Sequence, residues 1–194
     1  MAVKADFAII NANELATLKG KSDRPQIKKE MNDLGIIKGG AVAAKDGRIV
    51  AVGTTKEVLD KLEKGFELID ASGKLVTPGI IDPHVHLIFA GSREEELETM
   101  AVRGIPYLEI KAKGGGMPTT LRKTGEASTE ELLQRTTKIL DTMLIHGTTT
   151  IEAKSGYEMT FHGEIRQMEI IKTLRKKHPI DIIPTFMAQG IPFE

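Results

Sequence analysis

The chain has 194 residues with 27 basic and 27 acidic side chains, and it contains no cysteine. Balanced charge argues against a nucleic acid as the main partner. The missing cysteines exclude disulfides, cysteine nucleophiles and iron–sulfur clusters, so any metal must be held by histidines and carboxylates. No apolar run approaches the ~20 residues of a membrane span, and no signal-peptide core opens the sequence. These features predict a cytoplasmic protein that binds neither a membrane nor a nucleic acid.

Residues 1–77 predict a small β module built from short strands. Two apolar runs, 40–44 and 49–52, flank Asp46 and Gly47, a dipeptide typical of tight turns in β-hairpins. Further strands are expected at 7–10, 66–70 and 74–76, a polar loop at 19–35 and a short helix at 57–64.

After Pro78 the pattern changes to alternating strands and helices, which is typical of a parallel α/β fold. The clearest helix is expected over 128–145, because Ser128 can cap it and leucines and isoleucines recur at helical spacing. Strands are expected at 80–89, 148–151 and 180–187, and further helices at 94–103, 107–113 and 161–178.

An apolar segment that follows Pro78 and Gly79 is predicted to be a buried strand. It contains two histidines, His84 and His86, with one residue between them. Side chains alternate along a strand, so Asp82, His84 and His86 are expected on one face, where two imidazoles about 6–7 Å apart can bind one metal ion. The opposite, apolar face is expected to pack under helices. A histidine pair on a half-buried strand without any ligand is the alternative, and the pair by itself leaves it open.

Several motifs in one order resemble the imidazolonepropionase family of the amidohydrolase superfamily. The resemblance runs from about residue 41 to about residue 186, and its motifs are Pro78-Gly79, Asp82-Pro83-His84-Val85-His86, and the segments 89–96, 107–110, 113–116 and 152–157. It implies a TIM-like (β/α)8 barrel beside a small β-sandwich that is assembled from both ends of the chain. Residues 78–194 would then form about the first three β/α units of a partial barrel, and residues 1–77 part of the sandwich.

The resemblance also implies a reaction, the metal-dependent hydrolysis of the cyclic amide of 4-imidazolone-5-propionate to N-formimidoyl-L-glutamate in histidine degradation. One divalent metal, zinc or iron, would be bound by His84 and His86, where it would activate water and polarise the ring carbonyl. Arg93 and Tyr157 match family positions that contact the substrate, and a guanidinium suits its propionate through two parallel hydrogen bonds. Without the resemblance, Arg93 would be interpreted as a solvated residue at a helix start and Tyr157 as a surface loop residue.

Other polar residues are expected to lie outside the chemistry. Lys154 and Glu152 are predicted to have structural roles and not to bind metal. His146 is expected to place a favourable charge at a helix end, and His162 and His178 are expected to be solvated.

The chain departs from the family after Met187, since Ala188-Gln189-Gly190 stands where the family has Gly-Ala-His. The remaining metal ligands and the general base are expected beyond Glu194, so no catalytic residue is predicted within the chain. It is expected to be a fragment that is inactive alone. The alternatives are one half of a split amidohydrolase, another cyclic-amide hydrolase, and a non-catalytic module that binds metal or a partner. An unfinished barrel favours association with a complementing C-terminal chain or with copies of itself.

Overall fold

The computed structural model of the protein describes residues 2–20 and 24–187. Contacts between residues divide the chain into two compact units, Met1–Pro78 and Gly79–Glu194. Within the described ranges, no helix combines the length and the apolar character that a membrane crossing requires.

The first unit contains one mixed sheet with the strand order β3-β2-β1-β4, and β5 pairs with the second half of β1. Its strands are β1 (Phe7–Ala16), β2 (Ile36–Lys45), β3 (Arg48–Thr54), β4 (Glu67–Asp70) and β5 (Leu75–Val76). The β1–β2 and β2–β3 pairs are antiparallel, whereas β4 and β5 run parallel to β1. The polar segment between β1 and β2 contains a 3₁₀ helix, Lys28–Asn32.

The β2–β3 hairpin confirms the predicted strand, turn and strand. Asp46 and Gly47 have φ angles of 50° and 72°, the left-handed values that a tight hairpin turn requires. Helix α1 (Thr55–Leu59) begins earlier than the predicted 57–64 because Thr54 caps it. The Thr54 hydroxyl accepts a hydrogen bond from the Glu57 N–H at 3.3 Å, and the Glu57 carboxylate accepts one from the Thr54 N–H at 2.8 Å.

Small side chains dominate the core of the first unit. One cluster joins Ala8, Ala41 and Ala43 with Val58 of α1, and a second joins Ala12, Leu15 and Ala71. Gly40 shows how closely the strands approach, since a Cβ there would lie 2.5 Å from the Cβ of Leu15. Only glycine fits at that position without a shift of the neighbouring strand.

The second unit contains a three-stranded parallel sheet with the order β6-β7-β8. Its strands are β6 (Ile80–Val85), β7 (Thr148–Lys154) and β8 (Asp181–Thr185). Its helices are α2 (Glu94–Arg103), α3 (Tyr107–Ala112), α4 (Met117–Glu126), α5 (Thr129–Ile145) and α6 (Phe161–Lys177). The alternation of strands and helices confirms the predicted parallel α/β pattern.

The helices cover one face of this sheet and create the larger core of the chain. On β7, Ile151 and Ala153 are fully buried, while the alternating side chains of Glu152 and Lys154 are only partly buried on the other face. Ile151 packs with Ile182 of β8 and with helix residues such as Leu132, Leu140, Ile170 and Ile171. Ser128 caps α5 as predicted, because its hydroxyl accepts a hydrogen bond from the Glu131 N–H at 3.1 Å.

Two predictions for the second unit were wrong, those for the strand at 80–89 and for His178, and one helix was missed. Strand β6 ends at Val85 and not at 89, and it is not buried, since Ile81 is 66% exposed on a strand with one neighbour among the described strands. Helix α4 was not predicted. His178 is not solvated, because its side chain is 6% exposed, lies 3.3 Å from a carboxylate oxygen of Asp141, and accepts a hydrogen bond from the Ile180 N–H.

Candidate functional site

The predicted site residues lie at the carboxyl edge of the parallel sheet. His84 is the second-to-last residue of β6, and His86 directly follows that strand. Tyr157 lies three residues after the end of β7. Because parallel strands end on the same edge, the connections after β6 and β7 are brought together in space. This edge is where α/β barrels and related folds carry their chemistry.

The two histidine rings are neighbours. Their centroids are 5.3 Å apart and the ring planes are inclined by 58°. His84 is exposed and its backbone N–H donates a hydrogen bond to the Asp82 carboxylate at 3.1 Å, whereas His86 is half-buried. The pair therefore offers two imidazoles to one region of the surface.

Ser155 orients the ring of His86. The Nδ1 of His86 lies 2.9 Å from the carbonyl oxygen of Ser155, and because a carbonyl can only accept, Nδ1 carries the proton. The lone pair is then on Nε2, the arrangement found in histidines that bind metals. Burial lowers the pKa of His86, while the bond to Ser155 partly opposes this shift and the neighbouring His84 adds to it.

A cavity of about 280 Å³ joins three of the four predicted site residues. It is lined by His86, Phe89, Gly91, Ser92, Arg93, Thr120 and Tyr157. The Tyr157 ring lies 5.1 Å from the His86 ring and 6.3 Å from the Phe89 ring, measured between centroids. The sides of the cavity are thus aromatic, with one cation at its rim.

That cation is Arg93, which occupies the N-cap position of α2 and has a half-buried side chain. Among the described residues its closest carboxylate is that of Glu96, with 3.7 Å between Nη1 and Oε2. The other oxygen of Glu96 accepts a hydrogen bond from the Gly116 N–H at 2.8 Å. At 3.7 Å the ion pair is loose, so the guanidinium keeps donors available to a bound anion.

Two threonines of α4 hold the segment that forms one wall of the cavity. The Thr120 hydroxyl donates to the carbonyl of Gly91 at 3.0 Å, and the Thr124 hydroxyl accepts from the Ala90 N–H at 2.9 Å. Thr124 also donates to the Thr120 carbonyl at 2.7 Å. Sequence reasoning missed these residues and Ser155, because a threonine or a backbone carbonyl in such a role has no motif of its own.

On the partly exposed face of β7, Lys154 and Glu152 are paired with each other. Lys154 Nζ lies 2.5 Å from Glu152 Oε1, and the Thr185 hydroxyl donates to the same oxygen at 2.8 Å. The hydrogen bond from Lys154, and then that from Thr185, holds the pKa of the Glu152 carboxyl below its ordinary range. Both groups are engaged with each other beside the histidine pair.

Among residues 2–20 and 24–187, no group of three or more His, Asp or Glu side chains has an arrangement that could hold a metal ion. The described part of the chain therefore offers the two imidazoles and no third ligand of these types. The segment Ala188–Gly190, where the sequence departs from the family, lies outside the described residues.

Two solved structures have a fold similar to that of this chain. Guanine deaminase from E. coli superposes with a TM-score of 0.59 at 18% identity, over 95% of this chain and 38% of that protein. A 5-methylcytosine deaminase from Klebsiella pneumoniae gives 0.56 at 16% identity, over 92% and 35%. Both are amidohydrolases, and the chain shares the mixed α/β fold of part of such enzymes.

Sequence similarity is more specific. Proteins named imidazolonepropionase match from Geobacillus sp. (strain WCH70), with 45% identity over 96% of this chain, and from Geobacillus kaustophilus, with 49% identity over 94%. The chain is thus similar over nearly its whole length to the N-terminal part of imidazolonepropionase, which confirms the resemblance found in its motifs. It spans 45% and 44% of the length of these two relatives. No protein-family model matches the chain.

Proposed function

We propose that the chain is the N-terminal part of a metal-dependent hydrolase that opens the cyclic amide of 4-imidazolone-5-propionate and yields N-formimidoyl-L-glutamate. The observation that carries this proposal is the convergence of His86, Arg93 and Tyr157 on one cavity, with His84 beside His86. In this proposal residues 78–194 form the first β/α units of a barrel, and residues 1–77 form part of a β-sandwich.

The histidine pair fits one divalent metal, zinc or iron. Both groups are nitrogen donors of the kind these metals accept, and the bond from His86 to Ser155 leaves Nε2 free to coordinate. Of the neighbours in fold, an adenosine deaminase from Xanthomonas campestris was solved with bound zinc, and so was an atrazine chlorohydrolase from Arthrobacter aurescens. A bound metal of this kind lowers the pKa of water and polarises a carbonyl group.

Arg93 and Tyr157 would bind the substrate. Two parallel hydrogen bonds from the guanidinium suit the propionate, and the loose contact with Glu96 leaves these donors available. The Tyr157 ring, half-buried between His86 and Phe89, offers a flat face to the imidazolone ring next to the histidines. The four site residues are thus assigned to two bound groups, the histidines to the metal, and Arg93 and Tyr157 to the substrate.

A catalytic zinc site normally has three protein ligands and a general base, and residues 2–20 and 24–187 hold no such set. We therefore propose that the chain alone is inactive. Ile81 and Ile183 are exposed on the sheet of the second unit, and β6 and β8 each have a single neighbour among the described strands. A complementing chain that carries the remaining strands would cover these groups, and a split amidohydrolase is the second candidate.

The test is reconstitution. The chain is purified alone and mixed with the C-terminal part of the Geobacillus kaustophilus relative, and loss of the imidazolone absorbance is measured with zinc or iron. We expect no turnover by either part alone, turnover by the mixture, and loss of turnover with His86→Ala but not with His162→Ala, a change at an exposed histidine.

Other outcomes separate the alternatives. If the mixture hydrolyses a different cyclic amide and not imidazolone propionate, the proposed substrate is wrong and the alternative of another cyclic-amide hydrolase is supported. A stable chain of defined oligomeric state that binds metal but never gains activity with the C-terminal part would favour the non-catalytic module and contradict the proposal.

A further inference from the structure

One buried carboxylate holds the turn that presents Tyr157. Glu164 lies in the first turn of α6 and is 5% exposed. Its Oε1 accepts hydrogen bonds from the backbone N–H groups of Glu158 at 3.1 Å and Met159 at 3.0 Å. Both amides belong to the β7–α6 turn (residues 155–160), so the carboxylate reaches back from the helix into the turn.

This turn has a backbone that needs support. Met159 has a φ of +53°, a left-handed backbone value that residues other than glycine rarely adopt. Such conformations persist only where the surroundings fix them, and they concentrate at functional sites. The contact with α6 is also close, because a Cβ at Gly163 would lie 2.4 Å from the Cβ of Glu158.

Two groups of the candidate site belong to the same turn. The Ser155 carbonyl accepts the hydrogen bond from His86 Nδ1, and the Tyr157 ring lies beside the His86 ring in the cavity. The residue after Tyr157 is Glu158, and its backbone N–H is one of the two that donate hydrogen bonds to the Glu164 carboxylate. A displacement of the turn would therefore move both a wall of the cavity and the partner that orients His86.

Helix capping does not explain Glu164. The N-cap of α6 is Thr160, whose hydroxyl accepts a hydrogen bond from the Gly163 N–H at 3.1 Å. The second oxygen of Glu164, Oε2, is buried without a hydrogen-bond partner in the described part of the chain. A buried carboxylate is costly, so its presence requires a gain elsewhere, and the only bonds it makes within the described chain are those to the turn.

We infer that Glu164 is a positioning residue that holds the β7–α6 turn so that Tyr157 and the Ser155 carbonyl keep their places beside His86. The functional part of this inference rests on the proposed function, since it takes His86 as a metal ligand and Tyr157 as a substrate contact. The structural part, support of the turn by the carboxylate, does not.

The test compares Glu164→Ala, Glu164→Gln and Glu169→Ala in the full chain. Glu169 is an exposed acid on the same helix and serves as the matched control. Amide hydrogen exchange is measured by NMR at residues 157–160 and, as an internal reference, on β7. The His86 and Tyr157 ring signals are followed during a titration with Zn²⁺.

For Glu164→Ala we expect the Glu158 and Met159 amides to exchange at least about tenfold faster relative to β7, and the Tyr157 ring signals to shift. We also expect about tenfold weaker Zn²⁺ binding, the effect typical of losing the hydrogen-bonding partners that support a metal ligand. Glu164→Gln keeps a carbonyl oxygen as a weaker acceptor, so it should accelerate exchange only a few-fold. Glu169→Ala should match the wild type.

Wild-type exchange at Glu158 and Met159 in Glu164→Ala would overturn the inference, as would faster exchange with unchanged ring signals and unchanged Zn²⁺ binding. If Glu164→Ala does not fold, Glu164→Gln decides: selectively faster exchange of the two amides supports the inference, and wild-type exchange overturns it. If the wild type itself binds no Zn²⁺, the exchange data and ring signals still decide whether Glu164 holds the turn, and the reconstitution experiment tests the proposed function separately.

Discussion

His86 and Ser155 are joined by a 2.9 Å hydrogen bond from the imidazole Nδ1 to the backbone carbonyl oxygen, across 69 positions of sequence. The bond ties the end of β6 to the end of β7 and fixes the tautomer of the ring. It leaves Nε2 as the ring nitrogen of His86 that carries the lone pair.

Zn²⁺ binding by the chain should depend on His84 and His86 and on no other histidine. Each alanine substitution removes one of two nitrogen donors, and a single imidazole holds zinc poorly, so we expect affinity to fall by about tenfold or more. The measurement is isothermal titration calorimetry with Zn²⁺ at neutral pH. His162→Ala should leave the affinity unchanged. An equal loss with that control would place the binding elsewhere.

Gly79 should be essential to the stability of the second unit. A Cβ at this position would lie 2.0 Å from Oγ1 and 2.4 Å from Cγ2 of Thr149, a β-branched side chain with little freedom to move. Gly79→Ala should therefore destabilise the protein by about 1–3 kcal/mol, the usual cost of overpacking. Urea denaturation followed by circular dichroism measures the change.

Gly125→Ala is the matched control, because a Cβ built at this position of α4 would have no described atom within 4 Å apart from its chain neighbours and the backbone of its own helix. Alanine is favoured over glycine within a helix by about 0.5–1 kcal/mol, so this variant should be slightly more stable than the wild type. Thr149→Gly should cost less stability in the Gly79→Ala background than in the wild type, because there it also removes the clash. An equal cost in both backgrounds would mean that the clash with Thr149 is not the cause.

Local signals in the sequence were sufficient where one residue determines an element boundary. Ser128 caps α5 as predicted, and Asp46 and Gly47 form the predicted hairpin turn. Helix α4 was missed because its residues include three threonines and a glycine, all weak helix formers. Its threonines Thr120 and Thr124 instead bind the backbone at Gly91 and Ala90, a tertiary interaction that periodicity does not reveal.

The candidate site was predictable in part for the same reason. Alternation along a strand predicted neighbouring rings for His84 and His86, and the rings are 5.3 Å apart although β6 ends at Val85. The resemblance supplied Arg93 and Tyr157, and the structure places both at the cavity that His86 lines. Ser155 and Glu164 act through a backbone carbonyl and backbone amides, and no side-chain pattern in the sequence specifies such partners.

Acid should weaken the first unit through Asp6. The Lys45 ammonium, followed by the Asp46 N–H, donates to the Asp6 carboxylate and holds its pKa below the ordinary 3.8. A carboxyl group with a lowered pKa in the folded state stabilises the protein above its unfolded pKa, and this stabilisation is lost as the pH falls from 3.8 through the folded value.

Asp6→Asn should therefore reduce the slope of stability against pH in this acidic window and lower stability at neutral pH. Urea denaturation at a series of acidic pH values measures the slope. Asp60→Asn, at an exposed carboxylate after α1, is the control and should leave the slope at its wild-type value. Equal slopes for Asp6→Asn and the wild type would contradict a role for the Asp6–Lys45 pair.

Arg93 should determine recognition of the substrate carboxylate in the reconstituted enzyme. A hydrogen-bonded ion pair in a partly buried site contributes about 1.5–3 kcal/mol, so Arg93→Ala should lower kcat/KM for imidazolone propionate by about 10- to 100-fold. Arg93→Lys keeps the charge but loses the two parallel donors, and it should recover only part of the loss. Arg103→Ala, an exposed cation at the end of α2, should have no effect.

An analogue with a neutral amide in place of the propionate separates recognition from stability. If Arg93 binds the carboxylate, the wild type and Arg93→Ala should turn over this analogue at similar rates, because the interaction that the substitution removes is absent from both. An equal loss of kcat/KM for both substrates would mean that Arg93 supports the structure of the cavity, for example through its 3.7 Å contact with Glu96, and does not bind the substrate carboxylate. The ratio of the two losses, which is independent of how much protein is folded, therefore assigns the role of this residue.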